Sequence, residues 1–277
     1  MFEKGEGLKQ EKLFSRRCAT IIKVNFDLNG KVAIVTGAGR GIGRTIAEGL
    51  AQSGADVILT ARTEAEVIRA ADEINQATGR PTLGITCDVT NKQSIDSVVH
   101  QVLDKFGKID ILVNNAGTNV RQTAFELSEE EWDFLVDTNV KSVFLMSQAV
   151  GKHMVERQTG RIVNIASAAS ELTLTFSSAY GPSKAAVVHL TRQLANEWAK
   201  FGVTVNAISP WFIRTSLNAK ALDDPEFRSL IEQRTPMGRF GRLEEMIAPV
   251  LFFCSEGSGY ITGQNLFVDG GVTHFGV

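Results

Sequence analysis

The chain has 277 residues, a length at which one doubly wound or barrel core is common and two separate cores would be cramped. Hydrophobic residues make up 43% and charged residues 22%, ordinary for a soluble globular protein, and a net charge of −2 leaves no electrostatic footprint for nucleic acid or an anionic membrane. Cys18, Cys87 and Cys254 are too widely spaced for a disulfide framework or thiolate motif, and His100, His153, His189 and His274 lack metal-ligand spacing, so no metal is expected and a reducing, cytoplasmic setting fits.

Residues 1 to 26 carry mixed charges, with Glu3, Lys4, Glu6, Lys9, Glu11 and Lys12 followed by Arg16 and Arg17, and no long apolar run. That pattern excludes a membrane-spanning helix and a typical secretory signal, and the glutamates argue against a transit peptide. A flexible extension is expected there, with residues 27 to 277 forming a single domain.

From Lys31 onward, short Val- and Ile-rich runs alternate with helix-period stretches, the signature of a parallel sheet covered on both faces. The predicted strands are Val32 to Thr36, Asp56 to Thr60, Thr82 to Cys87, Ile109 to Val113, Arg161 to Ala166, Val203 to Ile208 and Asn265 to Val268. The predicted helices are Ile42 to Ser53, Thr63 to Thr78, Lys92 to Phe106, Trp132 to Glu156, Ser183 to Phe201 and Leu243 to Cys254. Together they make an α/β, Rossmann-type doubly wound sheet of seven mostly parallel strands, whose ligand should lie at the carboxyl ends of the strands. After the extension, the one long irregular segment runs from Pro210 to Gly241 and reads as a substrate lid.

The first strand leads into Thr36-Gly37-Ala38-Gly39-Arg40-Gly41-Ile42-Gly43 and then an apolar helical stretch. Glycines let the backbone turn sharply and approach a pyrophosphate, whose charge the free N–H groups and dipole of the helix start would stabilise. In that context Gly37, Gly39, Arg40, Gly41, Ile42 and Gly43 are candidate dinucleotide-binding residues. At the end of the second strand, Thr60-Ala61-Arg62 stands where an acidic residue would bond a ribose 2′-hydroxyl. With no carboxylate at Ala61, and with Arg40 and Arg62 at hand, NADP(H) is favoured over NAD(H); the plainer alternative leaves both arginines solvated. Asp88, followed by Val89, could accept from an adenine amino group or cap the helix near Lys92. After the fourth strand, Asn115, Ala116 and Gly117 in Asn114-Asn115-Ala116-Gly117 would let backbone pass close to a cofactor.

One of the chain's two tyrosines lies in Ser178-Ala179-Tyr180-Gly181-Pro182-Ser183-Lys184. Helical spacing puts Tyr180 and Lys184 on one face, where the ammonium would favour the ionised phenol and bring a pKa of about 10 toward neutrality. Ser167, just past the fifth apolar run, could donate to a substrate carbonyl oxygen as charge grows there, or could be a turn hydroxyl.

Thr36-Gly37-x-x-x-Gly41-x-Gly43, Asn114-Asn115-Ala116-Gly117, Asn139, Ser167 and Tyr180-x-x-x-Lys184 follow in order between Leu28 and Gly271, and on them the chain resembles the compact branch of the short-chain dehydrogenase/reductase family. The resemblance implies hydride transfer between the cofactor and a small ketone or secondary alcohol. It implies that Tyr180 is the general acid or base, that Lys184 binds the nicotinamide ribose and lowers the Tyr180 pKa, that Ser167 orients the carbonyl and that Asn139 holds a water-linked proton relay. It also implies cofactor contacts from Pro210, Ile213 and Thr215. Where the family usually has Pro-Gly, this chain reads Pro210-Trp211, and the indole could wall the substrate pocket, stack on a ligand ring or anchor the lid.

Asn115 to Arg121, Ser128 to Trp132 and Ala195 to Ala199 are similar to gluconate 5-dehydrogenases and related sugar-acid reductases, which points to a keto-sugar acid with Arg121 clamping its carboxylate. Tropinone-type ketones, suited to an aromatic pocket around Trp211 and Phe212, and 3-oxoacyl thioesters are the rival substrates. A cofactor-binding sensor without turnover is the rival outside enzymology. The long helices expose more apolar surface than one sheet covers, and in the family such faces pair, so a homotetramer is expected.

Overall fold

The computed structural model describes residues 26–175, 177–215 and 219–274. The predicted extension, apart from residue 26, and Cys18 lie outside the described residues. Seven strands, β1 (Val32–Thr36), β2 (Asp56–Ala61), β3 (Thr82–Thr86), β4 (Ile111–Asn114), β5 (Gly160–Ile165), β6 (Val203–Pro210) and β7 (Asn265–Val268), form one sheet. The order is β3-β2-β1-β4-β5-β6-β7, and every pairing is parallel. The chain steps outward from β1 to β3, then crosses back to start the other half at β4, so a crevice opens at the carboxyl ends of β1 and β4.

The helices are α1 (Gly41–Gln52), α2 (Glu64–Thr78), α3 (Lys92–Phe106), α4 (Glu129–Val136), α5 (Ser142–Glu156), α6 (Tyr180–Trp198), α7 (Ala219–Leu222), α8 (Pro225–Arg234) and α9 (Ile247–Cys254). The alternation of β1 distributes its side chains to two cores. Ala33 and Val35 pack with Ile46 and Leu50 of α1, Ile74 of α2 and Phe253 of α9. Val32 and Ile34 pack on the opposite face with Ile95 and Val102 of α3, Met146 and Val150 of α5 and Leu194 of α6. Both faces of β1 are therefore dry, which is why it reads as an unbroken apolar run.

Three expectations about helices change. The helix predicted from Trp132 to Glu156 is α4 and α5 separated by a π-helical turn at Asp137–Lys141, at whose centre Asn139 is fully buried and bonded to the backbone of Thr118. The helix predicted from Ser183 begins at Tyr180, since Pro182 in the first turn gives up an N–H that has no intrahelical partner there. The predicted loop from Pro210 to Gly241 contains α7 and α8, the latter capped by Asp224, which accepts from Glu226 N, with Pro225 opening the helix. The excursion is closed at its base, where Ile213 bridges to Gly241 and Gly241 N donates to Phe212 O at 3.0 Å. Among the described residues, no helix is long and apolar enough to cross a membrane.

Candidate active site

The turn after β1 is defined by what its glycines lack. Gly37 has φ +63, and a Cβ there would sit 2.9 Å from Ala116 Cα. A Cβ on Gly43 would press into Asn115 Nδ2 and lie 2.5 Å from Gly37 O. That closeness is built in: Asn115 Nδ2 donates to Thr36 O at 2.9 Å and Gly37 O at 3.1 Å, while Thr36 Oγ1 accepts from the backbone N–H groups of Asn115 and Ala116, each at 3.0 Å. The loop after β4 is thus bolted to the end of β1. Helix α1 starts at this turn with no side-chain cap from Arg40 and no acidic residue in its first turn, so its N–H groups and dipole are available to an anion.

A cleft of about 720 Å³ follows the carboxyl edge of the sheet. Gly37, Gly39, Arg40, Gly41, Ile42 and Gly43 line it from the turn, Arg62, Asp88 and Val89 from the ends of β2 and β3, and Asn115, Ala116, Gly117 and Arg121 from the loop after β4. Ser167, Tyr180, Lys184, Pro210, Trp211, Ile213 and Thr215 complete the far end. Of the residues singled out in the sequence only Asn139 stands behind the wall rather than in it. Its Oδ1 accepts from Thr118 N at 2.8 Å, and its Nδ2 donates to Thr118 O at 2.9 Å and Ser183 Oγ at 3.1 Å. Ser183 Oγ in turn donates to Tyr180 O at 2.7 Å, a link from the π-helical turn to the start of α6 that the sequence did not signal.

Asp88 is not a helix cap. Asn91 caps α3, accepting from Ser94 N at 3.0 Å. The Asp88 carboxyl accepts from Thr90 N and Thr90 Oγ1, and these bonds, helped by the charge of Arg62, hold it below the usual carboxylate range.

At the far end, Ser167 accepts from Ala169 N at 3.2 Å and stands close enough to the Tyr180 phenol to favour its ionised form. Lys184 is 5% exposed; its Nζ donates to Ile165 O at 2.9 Å and lies 5.8 Å from the Tyr180 ring centre. Burial brings the Lys184 ammonium down to about 8. The expected lowering of the Tyr180 pKa by Lys184 is not what the chain alone produces. Burial raises the phenol above its ordinary value, and the opposing pull comes from Ser167; Lys184, brought to about 8, is already neutral at the higher pH where the phenol ionises.

Trp211 is both wall and anchor. It lines the cleft, its Nε1 donates to Thr235 Oγ1 at 3.2 Å, and its ring meets Phe212 edge-on at 4.8 Å. Glu66, Asn119 and Leu174 also line the cleft without having been anticipated; a glutamate in the first turn of a helix reads as favourable to the dipole, with nothing to mark it as a site residue. Among the described residues no group of three His, Cys, Asp or Glu side chains is placed to hold a metal ion, and Cys87 and Cys254 are buried free thiols.

Residues 37–273 match the family model described as enoyl-(acyl carrier protein) reductase. The chain is 40% identical over 248 residues to gluconate 5-dehydrogenase of Gluconobacter oxydans, spanning 90% of this chain and 96% of that one. It is 42% identical over 249 residues to an NAD-dependent glycerol dehydrogenase of Listeria innocua, spanning 90% and 96%. Among solved structures, a gluconate 5-dehydrogenase from Burkholderia cenocepacia in complex with NADP and tartrate is similar with a TM-score of 0.87 and 36% identity, covering 91% of this chain and 98% of that one.

Proposed function

The chain belongs to the short-chain dehydrogenase/reductase family, and from that premise we propose that it transfers hydride between NADP(H) and a small ketone or secondary alcohol, with a keto-sugar acid as the substrate class. The observation that carries this reading is the convergence of Ser167, Tyr180 and Lys184 in one cleft with a glycine turn under an uncapped helix start. That cradle fits a dinucleotide: the N–H groups of α1 would hold its pyrophosphate, Asp88 its adenine, and Arg40 and Arg62 a 2′-phosphate. Lys184 would bond its nicotinamide ribose, with Ile213 and Thr215 beside the ring. When bound, the cofactor supplies or accepts the hydride.

The residues of the chain manage the proton and the oxygen. In reduction, Ser167 and Tyr180 donate hydrogen bonds to the carbonyl oxygen, and Tyr180 gives up its phenolic proton as charge develops there. In oxidation, Tyr180 takes the proton from the alcohol. Burial keeps the phenol protonated in the free protein, which suits the acid role. Lys184, brought to about 8, exchanges protons close to neutral pH and reloads Tyr180. The fixed position of Asn139 behind it provides the polar end of the relay. Arg121 at the cleft offers a carboxylate clamp, and Trp211 bounds the space left for the rest of the substrate.

Trp132, Phe134 and Phe144 on α4 and α5 are 43%, 44% and 41% exposed, which supports burial against further copies in a homotetramer. Sedimentation as a monomer would remove that part of the reading.

The test is oxidation of NADPH and NADH over 5-ketogluconate, 2-ketogluconate, tropinone and an acetoacetyl thioester, with Tyr180→Phe alongside. Turnover of a keto acid with NADPH, reduced about 10²- to 10⁴-fold in Tyr180→Phe, is expected. If no carbonyl reacts while NADPH still binds, the chain is a cofactor-binding sensor.

A further inference from the structure

Each arginine at the β2 end of the cleft faces a carboxylate. Arg40 Nη1 lies 3.6 Å from Glu66 Oε1, and Arg62 is close enough to Asp88 to help hold its carboxyl down. Glu66 projects from the first turn of α2 beside the glycine turn. A Cβ placed on Gly39 would be 3.3 Å from Glu66 Cβ, 3.5 Å from Glu66 Oε2 and 3.6 Å from Ala61 Cβ. Glu66 Oε2 and Ala61 Cβ thus border the same small space beside Gly39, and Ala61 ends β2 at the position from which an acidic side chain bonds a ribose 2′-hydroxyl and repels a 2′-phosphate. Ala61, Arg40, Arg62 and Glu66 all line the cleft.

Resting on the reading of this cleft as a nicotinamide-dinucleotide site, we propose that Glu66 sets the NADP(H)/NAD(H) preference, a carboxylate delivered from α2 in place of the one missing at position 61. With a free 2′-hydroxyl, Glu66 accepts its hydrogen bond while Arg40 neutralises the carboxylate. With a 2′-phosphate, Arg40 has to leave Glu66 for the phosphate, and two anionic groups then share one small site. The presence of Arg40 and Arg62 alone overstates the selectivity for the phosphorylated cofactor, and Glu66 narrows the margin of NADP(H) over NAD(H).

Glu66 is 35% exposed in its side chain and Arg40 65%, so solvent screens the pair. Exposed charge contacts shift affinity by about two- to fivefold each; two change together when Glu66 loses its charge, so the combined effect is about four- to twenty-five-fold. The experiment is equilibrium binding of 2′,5′-ADP and 5′-AMP, which differ by the 2′-phosphate, to the whole protein as wild type, Glu66→Gln and Arg40→Gln, at low and high salt. NADPH and NADH are titrated in parallel by their fluorescence. Glu66→Gln should tighten 2′,5′-ADP relative to 5′-AMP by about four- to twenty-five-fold at low salt, with the gain shrinking at high salt, and Arg40→Gln should move the ratio the other way. An unchanged ratio in Glu66→Gln with both fragments still binding overturns the role of Glu66 and leaves the cofactor reading standing. Failure of every nucleotide to bind the wild type overturns that reading and this proposal with it.

Discussion

The two ends of the cleft are shaped by opposite means. At the glycine turn the wall is backbone, with Gly37 and Gly43 fitting because they lack side chains and with Thr36, Gly37, Asn115 and Ala116 tied by four hydrogen bonds across β1 and β4. At the lid end the wall is side chain: Trp211 is held by Thr235, and Phe212 packs edge-on against both Trp211 and Phe227. An end made of closely approaching backbone has no room for an added atom. An end made of side chains changes shape with each deletion while its frame survives. Under the proposed function, cofactor binding falls to the first kind of wall and the choice of substrate to the second.

The largest expected effect comes from adding one carbon to the backbone wall. Gly43→Ala drives a Cβ into Asn115 Nδ2 and to 2.5 Å from Gly37 O, and neither is the far end of a flexible side chain free to swing away. A stability loss of about 3 kcal/mol in urea unfolding is expected, together with loss of measurable 5′-AMP binding. Stability within about 1 kcal/mol of wild type would mean that the turn is more yielding than its bonding implies and would break the contrast.

Lys184 stands beside Tyr180 at the far end, and its effect is a matter of pH. Its folded pKa of about 8 lies below the ordinary lysine value, so between about 8 and 10.5 the unfolded state binds more protons and stability rises with pH. The contribution is fully present above the unfolded pKa and is lost as pH falls through about 8, a swing of up to about 3 kcal/mol. Tyr180, raised by burial, acts in the opposite direction once pH passes about 10, since the folded state then retains a proton that the unfolded chain has lost. Chemical denaturation between pH 7 and 9.5 should therefore show a rise in wild type that Lys184→Met lacks. Parallel curves for the two proteins would show that water or a rearrangement solvates the ammonium.

The same contrast explains what the sequence made legible. The boundaries of β1, β7 and α3 could be read to the residue because a short Val-, Leu- or Ile-rich run and a capped helix with an apolar face are local signals. The glycine turn was equally plain, since missing side chains are visible in a sequence. The π-helical turn at Asp137–Lys141 was not, because it depends on Asn139 meeting the backbone of Thr118, 21 residues away. Helix α8 was missed for a different reason: among its residues only Ile231 is buried, so no apolar stripe announces it, although Asp224-Pro225-Glu226 is a good helix start. The Tyr180-x-x-x-Lys184 spacing correctly put both side chains at one end of the cleft but carried no information about burial, which governs the direction of both pKa shifts. Glu66 shows the same limit, a carboxylate from the next helix that borders the space beside Gly39 with Ala61.

The smallest effect is expected from Thr235→Val, which tests whether the two walls act independently. Thr235 is buried, its Oγ1 accepts from Trp211 Nε1 at 3.2 Å and donates to Ile231 O at 2.7 Å, and valine keeps its shape while removing both bonds. Trp211 is only half-buried, so its indole N–H can turn to water, and the loss should be about 1 kcal/mol. The freed ring would sample more positions over the substrate end, raising KM for the reacting ketone about two- to fivefold with little change in kcat, as expected when uniform binding is weakened. Affinity for 5′-AMP should not move, because no bond of Thr235 or Trp211 reaches the glycine turn. A parallel change in 5′-AMP affinity would mean that the lid communicates with the turn. The most direct route is then Thr215, whose side chain lies 3.8 Å from the place a Cβ on Gly41 would occupy.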